Sequence, residues 1–356
     1  MNPDGLRLAP LAAWMSDHGL GIDASAPLRA DLLAGGRSNI SYRLSDGAGG
    51  EWVLRRPPLG HILPSAHDMG REFRVLTGLH SVGFPVPRPV AECTDVDVIG
   101  AQFMLMDFVD GRVIDSADRA SHLAPEEASA ISGALVDALA DLHAINPAAA
   151  GLETLGRPDG YLARQVSRWT KQWELTRTRD LADIDVLAAA LASQVDDVLA
   201  MPGSIVHGDF RIDNTILAAD APVVRAVLDW EMSTLGDPIS DLAVMLVYWT
   251  DAGDTLRSAV PVAQHITDQP GFWTRAELVA RYADHSGRSL DHLDFCAALA
   301  CFKLAVIMES ILARSLQGQQ LGTGASEVDA MRKSTEALTV LGLRVLDEGA
   351  IVGLGS

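Results

Sequence analysis

Two motifs that lie close together in the chain constrain its fold and chemistry more than any other feature. They are His-Gly-Asp-Phe-Arg-Ile-Asp-Asn at 207–214 and Leu-Asp-Trp-Glu at 228–231. Asp209 and Asp229 each follow a run rich in β-branched apolar residues, and Asn214 lies five residues after Asp209. Asp, Asn and Gly are common in turns at strand ends. Turn formation alone does not explain the whole string in this order, so the motifs indicate a built site.

Phosphoryl transfer from ATP needs these residue types. A carboxylate must orient or accept the proton of the attacking hydroxyl, and oxygen ligands must hold Mg²⁺ against the phosphates. In the protein-kinase pattern, an Asp and an Asn have the spacing of Asp209 and Asn214, and a later Asp corresponds to Asp229. We therefore predict that Asp209 is the base, that Asn214 and Asp229 bind Mg²⁺, and that Arg211 offsets charge near the transferred group.

The form His-Gly-Asp, four residues, Asn, then Leu-Asp-Trp-Glu is not that of protein kinases. It resembles the aminoglycoside phosphotransferase-like kinases, a branch of the protein kinase-like fold that acts mostly on small molecules. The resemblance covers nearly the whole chain. It implies an α+β, two-lobed protein kinase-like fold, with a small β-rich, nucleotide-binding N-lobe over 1–106. The larger helical C-lobe over 107–356 would carry the catalytic loop and the substrate site.

A glycine-rich turn is expected between the first two strands of the N-lobe. Strand-like runs occur at 28–33, 40–44 and 52–55, and Ala-Gly-Gly-Arg-Ser-Asn separates the first two. Glycine lets backbone N–H groups approach phosphates closely, although hairpin turns use the same residues. The candidate phosphate-binding residues of this turn are Gly35, Gly36, Arg37, Ser38 and Asn39.

The third run, Trp-Val-Leu-Arg, corresponds to the kinase strand that carries the phosphate-binding lysine. Strand alternation places Val53 and Arg55 on one face, so Val53 is expected to face the nucleotide and Arg55 its phosphates. An exposed arginine in an edge strand is the alternative. Because guanidinium binds phosphate bidentately, arginine in place of lysine is compatible with ATP binding. On a predicted helix over 66–79, Glu72 is the expected partner of Arg55, with Asp68 as a competitor.

An apolar run at 101–109 ends in an Asp-Gly turn. By the resemblance, this strand leads into a hinge whose backbone binds adenine. Asp107 and Val109 would supply the backbone groups, and Met106 would line the pocket.

Residues 161–179 interrupt the acidic character of the chain. Arg164, Arg168 and Lys171 fall on one face of a predicted helix. The pattern Arg-Gln-x-x-x-Trp-x-x-Gln also resembles the kinase-like domain that some animal proteins carry fused to an acyl-CoA dehydrogenase. That resemblance implies phosphorylation of hydroxyacyl groups, with CoA thioesters as one form of the substrate. A solvated basic helix with two core tryptophans is the alternative. The candidate substrate residues are Arg164, Arg168, Trp169 and Trp173.

Three further polar residues have a structural and a functional interpretation. Asp241 precedes the apolar run at 242–249 and, by the resemblance, ties down the catalytic loop; otherwise it is an ordinary helix N-terminal acid. Asp237 is a possible helper at the metal site. His143 is interpreted as a capping or packing histidine.

Charge and cysteine usage exclude several classes of function. The net charge is −19, from 28 basic and 47 acidic residues, whereas nucleic-acid binding requires a basic footprint. We expect no membrane helix, because no apolar run approaches the ~20 residues required. We also expect no secretory signal, because the N-terminus lacks the basic-then-apolar layout of one. Three cysteines without Cys-x-x-Cys spacing indicate reduced thiols. A cytoplasmic protein acting on a small molecule is expected.

Three functions therefore compete. The first is an ATP- and Mg²⁺-dependent kinase for a hydroxyl of a hydroxyacyl or acidic metabolite, which the basic helix favours. The second is an aminoglycoside kinase, which predicts an acidic substrate pocket. The third is a non-catalytic nucleotide-binding pseudokinase, which the intact Asp209, Asn214 and Asp229 disfavour.

Overall fold

The computed structural model divides the chain into two compact units. It describes residues 6–23, 26–33, 39–58, 68–198, 201–257, 260–261, 265–317 and 325–355. The first unit comprises Met1–Gly111 and Arg225–Glu231, and the second comprises Arg112–Val224 and Met232–Ser356. The division after Gly111 lies beyond the predicted boundary at 106, and the segment that carries Asp229 joins the first unit.

An antiparallel five-stranded sheet forms the first unit, in the order β1-β2-β3-β5-β4. Its elements are α1 (Leu8–Asp17), β1 (Arg29–Leu32), β2 (Ile40–Ser45), β3 (Glu51–Arg56), α2 (Met69–Ser81), β4 (Pro89–Cys93), α3 (Val96–Ile99) and β5 (Phe103–Asp107). In β3 the burial alternates, so Trp52, Leu54 and Arg56 are buried while Val53 and Arg55 lie on the other face. Period-2 alternation therefore aims Arg55 away from the core of the unit, as the sequence predicts.

The second unit is mainly helical. Its helices are α4 (Ala117–Ser121), α5 (Pro125–Ala144), α6 (Tyr161–Thr176), α7 (Ala182–Gln194), α8 (Pro238–Tyr248), α9 (Arg275–Ser286), α10 (Leu293–Leu316), α11 (Ala325–Glu348) and α12 (Ala350–Gly353). Its short strands are β6 (Ser204–Val206), β7 (Thr215–Leu217) and β9 (Thr234–Gly236), while β8 (Val224–Val227) leads into the segment of the first unit. Helix α10 packs against α6, α7, α8 and α11, so it forms the centre of this unit.

Helix α10 corrects one expectation from the sequence. By length and composition it is apolar enough to cross a membrane, although no such helix was expected. In the structure, 78% of its most apolar window is buried within the protein, which is the behaviour of a core helix.

The C-terminal residues also differ from the sequence-based expectation. From the sequence alone, residues 347–356 are predicted to form a frayed tail after the last helix. Instead α12 folds back on α11, and Ala350 and Leu354 are each 2% exposed. The apolar pattern of this segment is too short to predict such packing.

Candidate active site

Asp241 anchors the loop that carries Asp209. The loop follows β6, and Asp241 lies in the first turn of α8. Its two carboxylate oxygens accept the backbone N–H groups of His207 at 2.5 Å and Gly208 at 2.7 Å. Only 1% of Asp241 is exposed. The structure therefore supports the role predicted from the resemblance rather than that of a simple helix N-terminal acid.

The buried side chain of His143 contacts the carboxylate of Asp241. His143 Nε2 lies 3.3 Å from Asp241 Oδ2, and His143 Nδ1 lies 2.7 Å from the Tyr282 hydroxyl. Burial opposes ionisation of Asp241, but the hydrogen bonds from His143 and the loop backbone outweigh it and lower the Asp241 pKa. Burial lowers the pKa of His143 despite the nearby carboxylate. A neutral His143 that donates from Nε2 and accepts at Nδ1 satisfies both partners. His143 is a packing and positioning residue, as interpreted from the sequence.

Glycine is required in the motif at position 208. Its φ is +85°, and a Cβ atom there would meet the Met232 carbonyl oxygen at 2.8 Å. A side chain would therefore suffer both a left-handed backbone conformation and a clash with backbone.

The carboxylate of Asp209 is held by several donors. Asn214 Nδ2 donates to the Asp209 carbonyl at 2.9 Å and to Oδ2 at 3.2 Å, and Arg211 Nε donates to Oδ2 at 3.2 Å. Burial and the charge of the Asp209 carboxylate raise the pKa of the Tyr248 hydroxyl well above its ordinary value. The Asp209 side chain nevertheless remains 19% exposed. It is fixed in orientation yet open to a substrate, which is what a general base requires.

Arg211 has a second carboxylate partner. Its Nη1 lies 3.0 Å from Asp213 Oδ2, and its guanidinium stacks 5.1 Å from the Tyr248 ring centre. These contacts hold the cation beside Asp209. Its predicted interaction with the transferred phosphoryl group stays a prediction.

Arg55 is the central cation of the first unit. Its Nε donates to Glu72 Oε2 at 3.0 Å, its Nη2 contacts the Asp229 carboxylate, and Glu231 lies 3.9 Å away. Burial lowers the Arg55 pKa, but the three carboxylates together raise it above its ordinary value. The ion pair between Arg55 and Glu72 is therefore present. Asp68, the competitor, instead caps α2 by accepting the Arg71 N–H at 2.9 Å.

Asp229 and Glu231 are two further carboxylates of the first unit. Asp229 adopts a φ of +65°, which is uncommon for a residue other than glycine and is typical of functional sites. Asn39 Nδ2 donates to Glu231 Oε2 at 3.0 Å. Within the described residues, the buried Asn39 Oδ1 has no hydrogen-bond partner. The two carboxylates are oxygen donors of the kind that a hard divalent cation such as Mg²⁺ prefers. Glu231 is the last residue of the Leu-Asp-Trp-Glu motif, but the sequence does not by itself predict a role for its carboxylate.

The other nucleotide-binding predictions are only partly described. Gly35, Gly36, Arg37 and Ser38 lie outside the described residues. Met106 pairs with Val53 across β3 and β5, and Val109 is partly exposed. The Asp107 N–H donates to the Arg88 carbonyl at 2.9 Å. An adenine contact at Asp107 would therefore fall to its carbonyl group.

A pocket beside the catalytic loop of the second unit is formed by α6, α8 and α10. Its lining includes Tyr161, Gln165, Trp169, Gly208 and Lys303, together with Ser240, Asp241 and apolar residues of α8 and α10. Trp169, a predicted substrate residue, thus lies in a pocket next to Asp209. On α6, the residues that face the pocket are Tyr161, Gln165 and Trp169, which are spaced by four residues. They lie on a different side of the helix from the basic residues.

The other predicted substrate residues of α6 lie outside the lining of this pocket. Arg164 donates to the backbone carbonyls of Arg157 and Asp159 at the start of its own helix. Trp173 is 2% exposed, and its indole N–H donates to Asp185 at 2.8 Å. Both side chains therefore have structural partners and do not line the pocket. Arg168 is exposed and lies 5.1 Å from the Trp169 ring centre, and its contact with substrate stays a prediction.

Two charged residues of α10 have different environments. Glu309 is fully buried and accepts the Thr178 N–H at 3.1 Å and the Thr178 hydroxyl at 2.6 Å, so it is structural. Lys303 Nζ donates to the Gly208 carbonyl at 2.6 Å and lines the pocket. The sequence shows a charged residue on an apolar helix but does not distinguish these two roles.

Comparison with known proteins agrees with this geometry. A family model described as the phosphotransferase enzyme family matches residues 30–288. Human acyl-CoA dehydrogenase family member 11 is 36% identical over 325 residues, which cover 89% of this chain and 40% of the human protein. This chain thus spans about two fifths of the length of such relatives. The predicted resemblance to a kinase-like domain of these animal proteins is confirmed.

Solved structures show the same fold. A crystal structure of a candidate aminoglycoside phosphotransferase from Ralstonia eutropha is 30% identical, with a TM-score of 0.79 over 96% of this chain and 99% of that one. Choline kinase from Cryptosporidium parvum is 12% identical with a TM-score of 0.62, over 98% of each chain. The predicted α+β, protein kinase-like fold class is confirmed.

Proposed function

The chain belongs to the phosphotransferase enzyme family, and from that premise we propose that it transfers the γ-phosphoryl group of Mg·ATP to a hydroxyl of a hydroxyacyl metabolite. The acceptor is a free hydroxy acid or its CoA thioester. That the protein is a small-molecule kinase follows from the family. The choice of nucleotide, metal and acceptor is the proposal.

The orientation of Asp209 carries the proposed chemistry. Its carboxylate is held by Asn214 and Arg211 on a loop that Asp241 anchors. In the reaction, the acceptor oxygen bonds to the γ-phosphorus, the bond to the β–γ bridging oxygen breaks, and ADP leaves. The hydroxyl proton passes to the carboxylate of Asp209.

The remaining roles are proposed for each unit separately. In the first unit, Arg55 supplies the cation for nucleotide phosphates, and Glu72 fixes its position. Asp229 there and Asn214 in the second unit are the proposed Mg²⁺ ligands. Bound Mg²⁺ supplies charge neutralisation of the phosphate oxygens.

Two observations favour a hydroxyacyl acceptor over an aminoglycoside. The similar animal proteins are named as acyl-CoA dehydrogenase family members. In addition, the pocket beside Asp209 contains the ammonium group of Lys303 together with the Asp241 carboxylate. The ammonium group opposes a polycationic antibiotic, whereas an aminoglycoside site is expected to be acidic throughout. The candidate aminoglycoside phosphotransferase of Ralstonia eutropha supports the second function, so both acceptor classes must be assayed.

The test is ADP release by the purified protein with Mg·ATP or Mg·GTP. Acceptors are hydroxybutyrates with the hydroxyl on carbon 2, 3 or 4, their CoA thioesters, and aminoglycosides. We expect turnover with a hydroxyacyl compound and loss of turnover on metal chelation. Asp209→Asn should lower kcat by about 10²- to 10⁴-fold while retaining nucleotide binding, and the exposed carboxylate of Asp220 provides the matched control, Asp220→Asn.

Either of two outcomes contradicts the proposal. Turnover with aminoglycosides alone would support the antibiotic kinase. Nucleotide binding without turnover on any acceptor would support the pseudokinase.

A further inference from the structure

The pocket beside the catalytic loop contains a lysine whose donors are only partly used. An ammonium group has three N–H donors. Lys303 uses one on the Gly208 carbonyl, at 2.6 Å. Within the described part of the chain, it forms no ion pair with a carboxylate at 4.0 Å or less. Donors therefore remain for a ligand.

The environment of Lys303 favours an anionic or carbonyl oxygen as that ligand. Burial lowers the Lys303 pKa, and Arg168 acts in the same direction, while the charges of Asp209 and Asp241 oppose them. A cation withdrawn from water is costly unless an oxygen ligand compensates it. The spare donors of Lys303 are thus the strongest recognition element in this pocket.

Neighbouring side chains supply a second donor and an apolar wall. The Trp169 indole N–H donates to Gln165 Oε1 at 3.1 Å, so the Gln165 amide oxygen is engaged and its NH₂ group can donate. Val244, Leu299 and the face of Trp169 provide apolar surface. The cavity volume is about 30 Å³, which is room for a small polar group.

We propose that Lys303 is the residue that determines acceptor specificity, by binding the acyl oxygen of the acceptor with Gln165 as a second donor. That oxygen belongs to the carboxylate of a free hydroxy acid or to the thioester carbonyl of its CoA derivative. Because Lys303 bonds Gly208, the residue before Asp209, an acyl group bound there presents a nearby hydroxyl to the base. The inference rests on the proposed function and specifies how its substrate is recognised.

The test combines kinetics with the binding of an unreactive acid. Lys303→Met removes the charge at similar length, Lys303→Arg keeps it, and Lys333→Met removes an exposed lysine of α11 as the matched control. We expect Lys303→Met to lower kcat/KM for the hydroxyacyl acceptor by about 10- to 100-fold. Lys303→Arg should recover part of this loss, and Lys333→Met should have no effect.

Calorimetric titration with butyrate measures the same contact without turnover. The wild-type protein should bind butyrate at least about tenfold more tightly than Lys303→Met. The Mg·ATP dissociation constant should be equal in the two proteins, which separates acceptor recognition from damage to the Gly208 loop. Equal losses of butyrate and Mg·ATP affinity would overturn the inference in favour of a structural lysine.

The two proposals fail in distinguishable ways. Transfer to a hydroxyacyl compound with an unchanged acceptor KM in Lys303→Met refutes the role of Lys303 and leaves the function intact. The opposite result is also possible: the protein phosphorylates no hydroxyacyl compound, yet binds butyrate in a way that depends on Lys303. That result refutes the proposed function and leaves intact the proposal that Lys303 binds an acyl oxygen. Comparing kcat/KM for free acids and CoA thioesters identifies which acyl oxygen is bound.

Discussion

The hydrogen bonds of Asp241 to the catalytic loop make a quantitative prediction. Asp241→Ala removes the acceptor for two backbone N–H groups, those of His207 and Gly208, at 2.5 and 2.7 Å. Both donors lie in a region where Asp241 itself is 1% exposed. His207 is buried and Gly208 is partly exposed, so water can replace the lost carboxylate only in part.

The expected magnitude follows from these two donors. A buried donor left without an acceptor costs about 1–3 kcal/mol, so Asp241→Ala should lower the free energy of unfolding by about 2–6 kcal/mol. Asp241→Asn keeps one acceptor oxygen and should lower it by about 1–3 kcal/mol. Because the loop also positions Asp209, kcat should fall in both variants while the KM for Mg·ATP changes less.

Urea unfolding measures the loss of stability, and amide hydrogen exchange locates it. The amides of His207 and Gly208 should exchange faster in Asp241→Ala than in the wild type. Asp291→Ala, at an exposed position, is the control and should change stability by less than about 0.5 kcal/mol. A loss below about 1 kcal/mol in Asp241→Ala, with unchanged exchange at both amides, would refute the assignment of Asp241 as the anchor of the loop.

Three further predictions concern buried charge and backbone strain. Arg55→Met leaves Glu72, which is 2% exposed, without its cation, and should lower the free energy of unfolding in urea by about 3–5 kcal/mol. Adding Glu72→Leu should recover part of that loss. If the stability losses of the two single variants simply add in the double variant, the ion pair is contradicted. Gly208→Ala should lower the free energy of unfolding by about 1–3 kcal/mol and reduce kcat, because the φ of this residue is +85°. Wild-type stability and wild-type kcat in this variant would refute the requirement for glycine. The pKa of His143 is lowered from 6.5 by burial, so its contribution to stability is complete above that pH and is lost as the pH falls below it. Between pH 7.5 and 5.5, roughly the range in which an unperturbed histidine titrates, the free energy of unfolding should therefore decrease more in the wild type than in His143→Gln. Equal decreases in the two proteins would contradict a buried neutral histidine.

Much of the site is predictable because its signals are local. The spacing of Asp209 and Asn214 follows from one short loop, and strand alternation alone places Val53 and Arg55 on one face of β3. The capping box at Thr274 and Glu277 is likewise encoded within four residues, and the structure contains it. These features depend on neighbours in sequence, so one chain suffices to predict them.

The sequence is less able to predict which residues pair with each other when they lie far apart in the chain. Glu72 and Asp68 are both acidic and lie one turn apart in sequence, yet one pairs with Arg55 and the other caps α2. The basic face of α6 was the more conspicuous pattern, but Arg164 binds carbonyls of its own N-terminus. Composition reports which charges a helix carries. It does not report which face meets a neighbouring helix.

Short-range spacing and strand context in the sequence determined the phosphotransferase motifs. The family resemblance that these motifs carry predicted the class of fold and the candidate base, cation and metal ligands. Tertiary structure decided which of these groups have partners: Asp241 reaches back 34 positions to His207, and Lys303 reaches 95 positions to Gly208. Such contacts depend on how α8 and α10 pack around the loop. Packing is a property of the whole unit, so no local pattern specifies it.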